Sequence, residues 1–358
     1  MKKKYVIVTG SDGLVGSECV EFFCHLGFEV IGIDNNYRKK FFGKEASVLW
    51  NRQRLKSKYK NYRHFNVNIV NEKSIEEIFL NYGSQAELII HCAAQPSHDW
   101  AASNPLLDYK VNSLGTLNLL ENTRKYSKET PFIFTSTNKV YGDNPNYIKY
   151  NELKTRYSPA KNSIYINGFN EEFSIDNTLH SLFGSSKLSA DIMVQEYGKY
   201  FEMNTVSFRG GCLTGPNHSG TMLHGFLSYL MKCAITKKDY TIFGYGGKQV
   251  RDNIHSKDLI RAFYEFFKNP KAGEVYNIGG GTENNCSILE AISLCELISG
   301  NKLTLHYEEN NRKGDHKWYV SDLDKFKTHY PSWKQEHTIG SILEEIAELN
   351  KNRWIKEK

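Results

Sequence analysis

The sequence predicts an α/β protein built on a doubly wound parallel sheet, with a smaller mixed α/β domain toward the carboxyl terminus. Short apolar runs of strand length alternate with amphipathic segments of helix length through residues 1–140. A glycine-rich turn separates the first apolar run from the first amphipathic segment. This alternation is typical of βαβ units, and right-handed crossovers between parallel strands place helices on both faces of the sheet.

The elements are predicted in a regular order along the chain. We expect strands over Tyr5–Thr9, Glu29–Ile33, Glu87–Cys92, Phe132–Ser136 and Thr205–Arg209, and helices over Val15–Leu26, Ser74–Tyr82, Asn112–Tyr126 and Lys187–Tyr200. Residues 143–183 lack periodicity and are rich in Asn, Tyr and Ser, which indicates a long active-site loop. The prediction is one domain over residues 1–210, this loop included, and a second over 211–358, with approximate boundaries that the chain can cross.

Composition and charge exclude several classes of protein. Of the 358 residues, 40% are hydrophobic and 24% are charged, which is ordinary globular usage and excludes wholesale disorder. No apolar stretch approaches the roughly 18 residues of a membrane-spanning helix. The net charge of +6 is small for this length, and the basic run between Arg38 and Arg63 is interpreted as a solvated helix face. We therefore expect neither a membrane nor a nucleic-acid partner.

The cysteines and the amino terminus indicate a cytoplasmic protein. The seven cysteines form no CxxC pair and no zinc-ligand spacing, so we expect free thiols and no metal site. The terminus runs from three lysines directly into the first strand, without the long apolar core and cleavage site of a signal peptide.

The glycine-rich turn has the features of a dinucleotide site. Gly10, Gly13 and Gly16 follow the first strand in the spacing GxxGxxG and open the first helix. This arrangement lets the backbone approach a pyrophosphate, which the helix amino terminus attracts. Asp34 ends the second strand, 24 residues beyond Gly10, where an acid binds the ribose hydroxyls and repels the 2′-phosphate of NADP. The pattern favours NAD; the alternative is a tight turn followed by a helix-capping Asp.

Two later segments carry the chemistry. Thr135-Ser136-Thr137-Asn138-Lys139-Val140-Tyr141-Gly142 follows a strand, and Phe183-Gly184-Ser185-Ser186-Lys187 opens a helix. With the glycine turn, they resemble the extended short-chain dehydrogenase/reductase superfamily of nucleotide-sugar epimerases and dehydratases, over nearly the whole chain. The resemblance implies a Rossmann domain, bound NAD and a homodimer or homotetramer. In that family a Ser or Thr with a Tyr-x-x-x-Lys pair moves protons, and Thr137 and Lys187 match two of these three positions.

A narrower resemblance is to the CDP-tyvelose (CDP-paratose) 2-epimerases. It is carried by the segments 136–143 and 150–152 and by Lys248-Gln249-Val250-Arg251-Asp252. It implies a CDP-sugar substrate, an isomerase activity and a place in lipopolysaccharide O-antigen biosynthesis. The 4,6-dehydratases carry Asp and Glu where this chain has Asn138 and Lys139, and those acids move the protons of water loss. Their replacement argues against dehydration.

Phe183 departs from the family pattern, because it replaces the tyrosine of Tyr-x-x-x-Lys. A phenol accepts the hydroxyl proton of the sugar, and phenylalanine cannot. Three explanations stay open: another residue substitutes, the protein is a weakly catalytic homologue, or the chemistry differs. The candidate substitutes are Lys187, Lys139 and Cys212.

The remaining assignments follow from the motifs and the resemblance. The predicted catalytic residues are Thr137, Lys187, Cys212 and Lys139. The predicted NAD contacts are Gly10, Asp12, Gly13, Leu14, Val15, Gly16, Asp34, Asn35, Asn68, Ile69, Ala93, Ala94, Gln95, Asn112, Thr135 and Lys187. The predicted substrate contacts are Ser97, His98, Thr137, Asn138, Arg251, Arg312 and Asp315. Arg251 and Arg312 match diphosphate-binding arginines of the family, with an ordinary ion pair as the alternative for each.

These observations define one favoured function and two alternatives. The favoured function is an NAD-retaining nucleotide-sugar epimerase that oxidises C2 and reduces it again on the opposite face. The first alternative is a 4-epimerase, dehydratase or reductase of the same fold. The second is a non-catalytic sensor of a nucleotide sugar or dinucleotide, and Phe183 is its chief support.

Overall fold

The computed structural model describes residues 3–356 and contains fifteen strands within that range. The strands are β1 (Tyr5–Thr9), β2 (Glu29–Ile33), β3 (Tyr62–Phe65), β4 (Ala86–His91), β5 (Phe132–Thr137), β6 (Tyr150–Glu152), β7 (Tyr157–Pro159), β8 (Thr205–Gly210), β9 (Cys212–Thr214), β10 (Tyr240–Phe243), β11 (Val250–His255), β12 (Glu274–Ile278), β13 (Asn285–Ser287), β14 (Leu305–Glu308) and β15 (Trp318–Tyr319).

Thirteen α-helices alternate with these strands over the same residues. They are α1 (Leu14–His25), α2 (Arg38–Phe42), α3 (Leu49–Lys58), α4 (Glu72–Tyr82), α5 (His98–Ser103), α6 (Pro105–Tyr109), α7 (Gly115–Tyr126), α8 (Ser181–Phe201), α9 (Phe226–Thr236), α10 (Ser256–Lys268), α11 (Ile288–Ser299), α12 (Asp324–His329) and α13 (Ile339–Lys356). A π-helical turn, Lys110–Leu114, leads into α7. No helix among the described residues is both long and apolar enough to cross a membrane.

The main sheet has seven strands, in the order β12, β8, β5, β4, β1, β2, β3. The neighbouring pairs β1–β2, β1–β4, β2–β3 and β4–β5 are parallel. The chain order reverses between β1 and β4, and ligands of such sheets bind at the carboxyl ends of the strands at that reversal. The predicted α/β class with a doubly wound parallel sheet is confirmed.

The centre of the sheet is buried because its strands are apolar without interruption. In β4, Leu88, Ile89 and Ile90 are fully buried. Helices α4, α7 and α8 contribute to one apolar cluster with strand residues such as Ile89. Phe23 of α1 packs edge-on against Phe267 of α10, with ring centroids 6.1 Å apart. Burial of this apolar surface is the main stabilising term of the sheet.

The chain divides into two compact units, each discontinuous in sequence. Unit 1 comprises residues 1–140, 182–209 and 260–276, and unit 2 comprises 141–181, 210–259 and 277–358. One crossing between the units therefore falls at the predicted domain boundary. The predicted active-site loop groups with unit 2 rather than with the first domain, because its backbone pairs there: Phe169 donates to Val320 O and Tyr157 to Lys248 O.

Unit 2 is built on β11, which pairs with β9, β13 and β15. A separate parallel pair joins β10 to β14. Helices α9, α11 and α13 enclose an apolar cluster that includes Leu230, Ile292 and Ile346. The predicted smaller mixed α/β part therefore corresponds to real elements in residues 210–259 and 277–358.

Candidate active site

The glycine turn forms a backbone cradle at the carboxyl end of β1. Gly10 has φ +67°, and a Cβ there would lie 2.8 Å from the Ala93 backbone nitrogen. A Cβ on Gly16 would lie 2.0 Å from Gly10 O, so both positions require glycine. Helix α1 starts directly after the turn. Its N-cap residue is Gly13, which has no side chain to cap the first amides of the helix. The free amides of α1 and the missing Cβ atoms fit the pyrophosphate of a dinucleotide.

Asp34 lies at the end of β2, close to the glycine turn. Its carboxylate accepts hydrogen bonds from the backbone nitrogens of Asn36 at 2.7 Å and Asp12 at 3.3 Å. Burial and the nearby Asp12 charge raise the pKa of Asp34 to about 6. A carboxylate at this place can accept bonds from two ribose hydroxyls.

The carboxylate of Asp12, a predicted cofactor contact, is directed to partners inside unit 1. The residue is fully buried, and its carboxylate pairs with Arg52 Nε at 2.7 Å and with His64 Nε2 at 3.3 Å. Arg52 also donates to Asp34 O at 3.3 Å. Asp12 therefore braces the turn through Arg52. Since Arg52 lies within the basic run of residues 38–63, that run is not wholly the solvated helix face that the sequence predicts.

Two further predicted cofactor contacts are buried inside unit 1. Gln95 Nε2 donates to Asp108 Oδ1 at 2.7 Å, and Asn112 Nδ2 donates to the same oxygen at 3.1 Å. Gln95 is fully buried and Asn112 is 1% exposed, and their cofactor roles stay predictions. The other predicted cofactor contacts of unit 1 surround the ends of β1 to β5. Three of them are buried, namely Val15, Gly16 and Ile69. The rest are half-buried: Gly10, Gly13, Leu14, Asp34, Asn35, Asn68, Ala93, Ala94 and Thr135.

A buried histidine that sequence reasoning missed supports the end of β4. Thr116 donates to Asn112 O at 2.6 Å, so its oxygen accepts from His91 Nε2 at 2.9 Å. His91 Nδ1 then accepts from Thr9 Oγ1 at 2.7 Å. Burial and the Lys187 charge lower the pKa of His91 well below its usual value, and the neutral ring joins β1, β4 and α7. Its apolar sequence surroundings give no signal of this role.

Lys187 is buried beneath the end of β5. Its ammonium donates to Thr135 O at 2.8 Å and lies 3.9 Å from the centroid of the Phe134 ring. Burial lowers the pKa of Lys187 to about 7, against the opposing charges of Asp191, Cys92 and Asp108. The residue is 3% exposed. Lys187 thus contacts β5 through the Thr135 carbonyl and the Phe134 ring.

A second contact fixes α8 against β5. Ser136 Oγ donates to Asp191 Oδ2 at 2.5 Å. Asp191 also receives two bonds from the Arg209 guanidinium, at 2.8 and 3.2 Å. All three side chains are buried, and no motif in the sequence singles out Asp191. The Ser136 bond joins α8, which carries Phe183 and Lys187, to β5, which carries Thr137, and the ion pair joins α8 to β8.

The residues after β5 form a tight turn. Thr137 Oγ1 accepts from the Lys139 backbone nitrogen at 3.2 Å and lies 3.4 Å from Asn138 Oδ1. Asn138 is 5% exposed, while Thr137 and Lys139 are half-buried. Phe183 is also buried, and its ring packs edge-on against His98, with centroids 4.9 Å apart and planes at 68°. Unit 1 thus contains Thr137, Phe183, Lys187 and His98, and the Phe183 and His98 rings are in contact.

Four of the predicted site residues, Cys212, Arg251, Arg312 and Asp315, belong to unit 2. Arg251 donates to the Asp315 carboxylate and, at 2.6 Å, to Val250 O. Arg312 donates to Leu223 O at 2.6 Å. Cys212 lies in β9, with Asn253 of β11 as its register partner. The ion pair of Arg251 joins two predicted substrate contacts, and the substrate roles of these residues stay predictions.

The fold and the site define a class of protein: a dinucleotide-binding α/β protein with a buried lysine and a threonine hydroxyl at the carboxyl edge of its sheet. A family model described as the NAD dependent epimerase/dehydratase family matches residues 6–279. The chain belongs to this family, and its cofactor is NAD.

The relatives extend over almost the whole chain. A CDP-paratose 2-epimerase of Salmonella typhi is 32% identical over 89% of this chain and 91% of its own. A UDP-glucuronate 4-epimerase of Thermodesulfobacterium geofontis is 27% identical over 97% and 96%. The solved UDP-glucose 4-epimerase of Thermus thermophilus, in complex with NAD, has the same fold, with a TM-score of 0.77, 22% identity and coverage of 96% and 98%.

Proposed function

We propose that this protein is a nucleotide-sugar epimerase that inverts C2 of a CDP-linked sugar. The observation that carries the proposal is the pair Asn138 and Lys139 directly after Thr137. An amide and an ammonium cannot replace the two carboxylic groups that move protons during dehydration. The similarity to a CDP-paratose 2-epimerase, at 32% identity, supports the same choice.

The chemistry of C2 determines the route. Its hydrogen is not acidic because no carbonyl adjoins it, so direct deprotonation is excluded as a mechanism. Oxidation of the C2 hydroxyl gives a 2-ketose. The ketose then rotates within the site and is reduced on its other face. When bound, NAD accepts the carbon hydrogen with its two electrons and later returns it. The reaction has no net redox change, so the cofactor stays with the protein.

The residues of unit 1 have separate roles in the proposed reaction. The glycine cradle and Asp34 hold the dinucleotide, and the Thr137 hydroxyl binds the sugar hydroxyl that is oxidised. Lys187 provides a positive charge beneath β5, which favours oxyanion character on the sugar. In unit 2, we assign the diphosphate to Arg251 and Arg312, because guanidinium groups bind phosphate oxygens in pairs.

The second candidate function is a non-catalytic sensor of nucleotide sugars, which Phe183 favours. One experiment separates the two. The purified protein is incubated with CDP-, UDP-, GDP- and dTDP-sugars, and the sugar ring protons are followed by NMR. The epimerase proposal expects inversion at C2 of a CDP-sugar with NAD still bound. Bound NAD without turnover of any sugar would favour the sensor, and loss of water from the sugar would favour a dehydratase.

A further inference from the structure

The Lys187 side chain is poorly placed to meet a sugar hydroxyl in this structure. Its ammonium is committed to Thr135 O at 2.8 Å and is covered by the Phe134 ring. Only 3% of the residue is exposed. Phe183, one helical turn earlier on α8, carries no titratable group. A side chain that adjoins Phe183 therefore becomes a candidate acceptor, beside Lys139 and Cys212.

His98 adjoins Phe183 directly. The imidazole packs edge-on against the phenyl ring, with centroids 4.9 Å apart. His98 is half-buried, so part of the residue is accessible from outside unit 1. An imidazole is the one side chain whose ordinary pKa, about 6.5, lets it accept and return a proton near neutrality. The ring contact places it beside the position at which relatives carry a phenol.

A buried network fixes the segment before His98. Ser97 donates its backbone N–H to Gln95 Oε1 at 2.5 Å, and its carbonyl accepts from Gln95 Nε2 at 2.9 Å. Gln95 Nε2 also donates to Asp108, which accepts from Asn112. Asn112 Nδ2 in turn donates to Ser186 Oγ at 3.0 Å, on the helix that carries Phe183. The network connects the backbone at Ser97, the residue before His98, to helix α8.

We propose that His98 is the catalytic proton acceptor and donor that replaces the missing tyrosine. The proposal rests on the proposed function. In the oxidation, the sugar carbon loses a hydrogen with both electrons of its C–H bond to the bound dinucleotide, and the hydroxyl proton goes to the imidazole, leaving a carbonyl. In the return step, the carbonyl carbon regains that hydrogen on its other face, and the imidazolium returns the proton to oxygen. Atoms and charges balance over the cycle.

The test combines variants at positions 98 and 183. His98→Ala and His98→Asn should lower turnover by about 10²-fold or more, the range for a positioned acid–base group, with NAD affinity within about twofold of wild type. The pH profile of kcat/KM should lose its ascending limb in both variants. His25→Ala, at an exposed histidine on α1, is the matched control. It should retain both the wild-type turnover and the ascending limb of the pH profile.

Phe183→Tyr gives the second arm of the test. In wild type the new hydroxyl crowds the imidazole, so turnover should fall. In His98→Ala the same change fills vacant space with an acid–base group, so the double variant should exceed His98→Ala by about tenfold or more. A fall of turnover in wild type together with a rise in His98→Ala would show that positions 98 and 183 share one role. The comparison of Phe183→Tyr in wild type and in His98→Ala stays decisive even if His98→Asn retains part of the wild-type turnover through its amide.

The possible failures are distinguishable. Turnover by wild type, with His98→Ala and His98→Asn within about threefold of it and with the same pH limb, would overturn the role of His98 alone. A rise of about tenfold in Phe183→Tyr on the wild-type background would do the same, because it would show a site that lacks an acceptor. Absence of turnover by wild type on every nucleotide sugar would overturn the proposed function together with this role.

Discussion

Lys187 illustrates how burial changes the chemistry of a single residue. The amine is enclosed between α8 and β5, and the loss of water lowers its pKa from 10.5 to about 7. A lysine with that pKa exchanges protons near neutrality. The same burial has a consequence for stability, because the unfolded chain returns the amine to water.

The first prediction concerns this pH dependence. Between about pH 7 and 10.5 the unfolded chain binds a proton at Lys187 that the folded chain does not, so folding is favoured as the pH rises through this window. The free energy of unfolding of wild type, minus that of Lys187→Met, should increase from about pH 7 to about pH 10 and be constant below about pH 6. Urea titrations at several pH values measure it. Lys199→Met, at an exposed lysine on the same helix, is the control, and an equal slope in both variants would contradict the prediction.

Asp34 provides a prediction about cofactor choice. Asp34→Ala should weaken NAD binding by roughly 1–3 kcal/mol and narrow the preference over NADP, because a charged acceptor of ribose hydroxyls is lost. NAD affinity of wild type should also fall as the pH drops below about 6, where the carboxylate gains a proton. Titration calorimetry measures both effects. Glu129→Ala, at an exposed acid, should bind NAD as wild type does. Equal affinity of wild type for NADP and NAD would refute the assignment.

Arg251 provides a prediction about the substrate. Arg251→Ala should raise KM strongly and reduce affinity for free CDP, with NAD binding unchanged, because the diphosphate loses a bidentate partner. Arg156→Ala removes another ion-paired arginine of unit 2, at Glu290, and should leave CDP affinity intact. If Arg251→Ala binds CDP as wild type does, the ion pair with Asp315 is the whole role of Arg251.

At the residue scale, the sequence predicts positions better than side-chain environments. Gly10, Gly16 and Asp34 lie where the motif predicts, because backbone geometry fixes them. Asp12 and Gln95 lie at the predicted places, but their polar groups are used by internal partners. Those partners, Arg52 and Asp108, are brought close only by the tertiary fold. Single-sequence reasoning has no access to such pairings.

The pairing of β5 with α8 is the element-scale feature on which the site depends. Two contacts join them, one from Lys187 to Thr135 O and one from Ser136 to Asp191. The Asp191 carboxylate is shared with Arg209 of β8. Because a buried charge needs its partner, this ion pair fixes α8 over two strands at once.

The corresponding prediction is a large loss of stability in Asp191→Asn. The change leaves the buried Arg209 charge uncompensated, and breaking such a pair costs about 3–5 kcal/mol. Equilibrium unfolding in urea measures it. Glu76→Gln removes an exposed partner of Lys125 and should change stability little, since water already screens that pair. An Asp191→Asn loss no larger than the Glu76→Gln loss would contradict the role of Asp191 in fixing α8.

At the element scale, periodicity predicts most of unit 1 and fails where local signals are weak. The helix predicted over 112–126 begins as a π-helical turn at Lys110, and the helix predicted from Lys187 begins at Ser181. Helix α3 is predicted only as a solvated face within the basic run of residues 38–63, because its basic residues obscure the short apolar stripe around Leu55. The short strands of residues 150–159 have too few residues for an alternating pattern to be recognised.

At the scale of the whole molecule, neither compact unit is a continuous piece of chain. Unit 1 takes most of α10 and of β12 from residues 260–276, after the chain has already entered unit 2. Contacts inside unit 1 show why this return matters. Phe208 of β8 packs against Phe263 of α10 and Tyr276 of β12, with ring centroids 5.0 and 5.8 Å apart. A periodicity-based division into 1–210 and 211–358 cannot detect such a return.

The last prediction follows from this topology. A fragment of residues 1–210 should lack a cooperative thermal transition and should not bind NAD, although it contains every predicted NAD contact. It lacks the helix that covers Phe23 and Phe208, and it leaves β8 as an unpaired edge. The full-length variant Phe263→Ala removes one part of the same packing and should lose about 3–5 kcal/mol while still binding NAD. Circular dichroism and calorimetry provide the measurements. A fragment that unfolds cooperatively and binds NAD would show that the first 210 residues form an autonomous domain and that the return segment is dispensable.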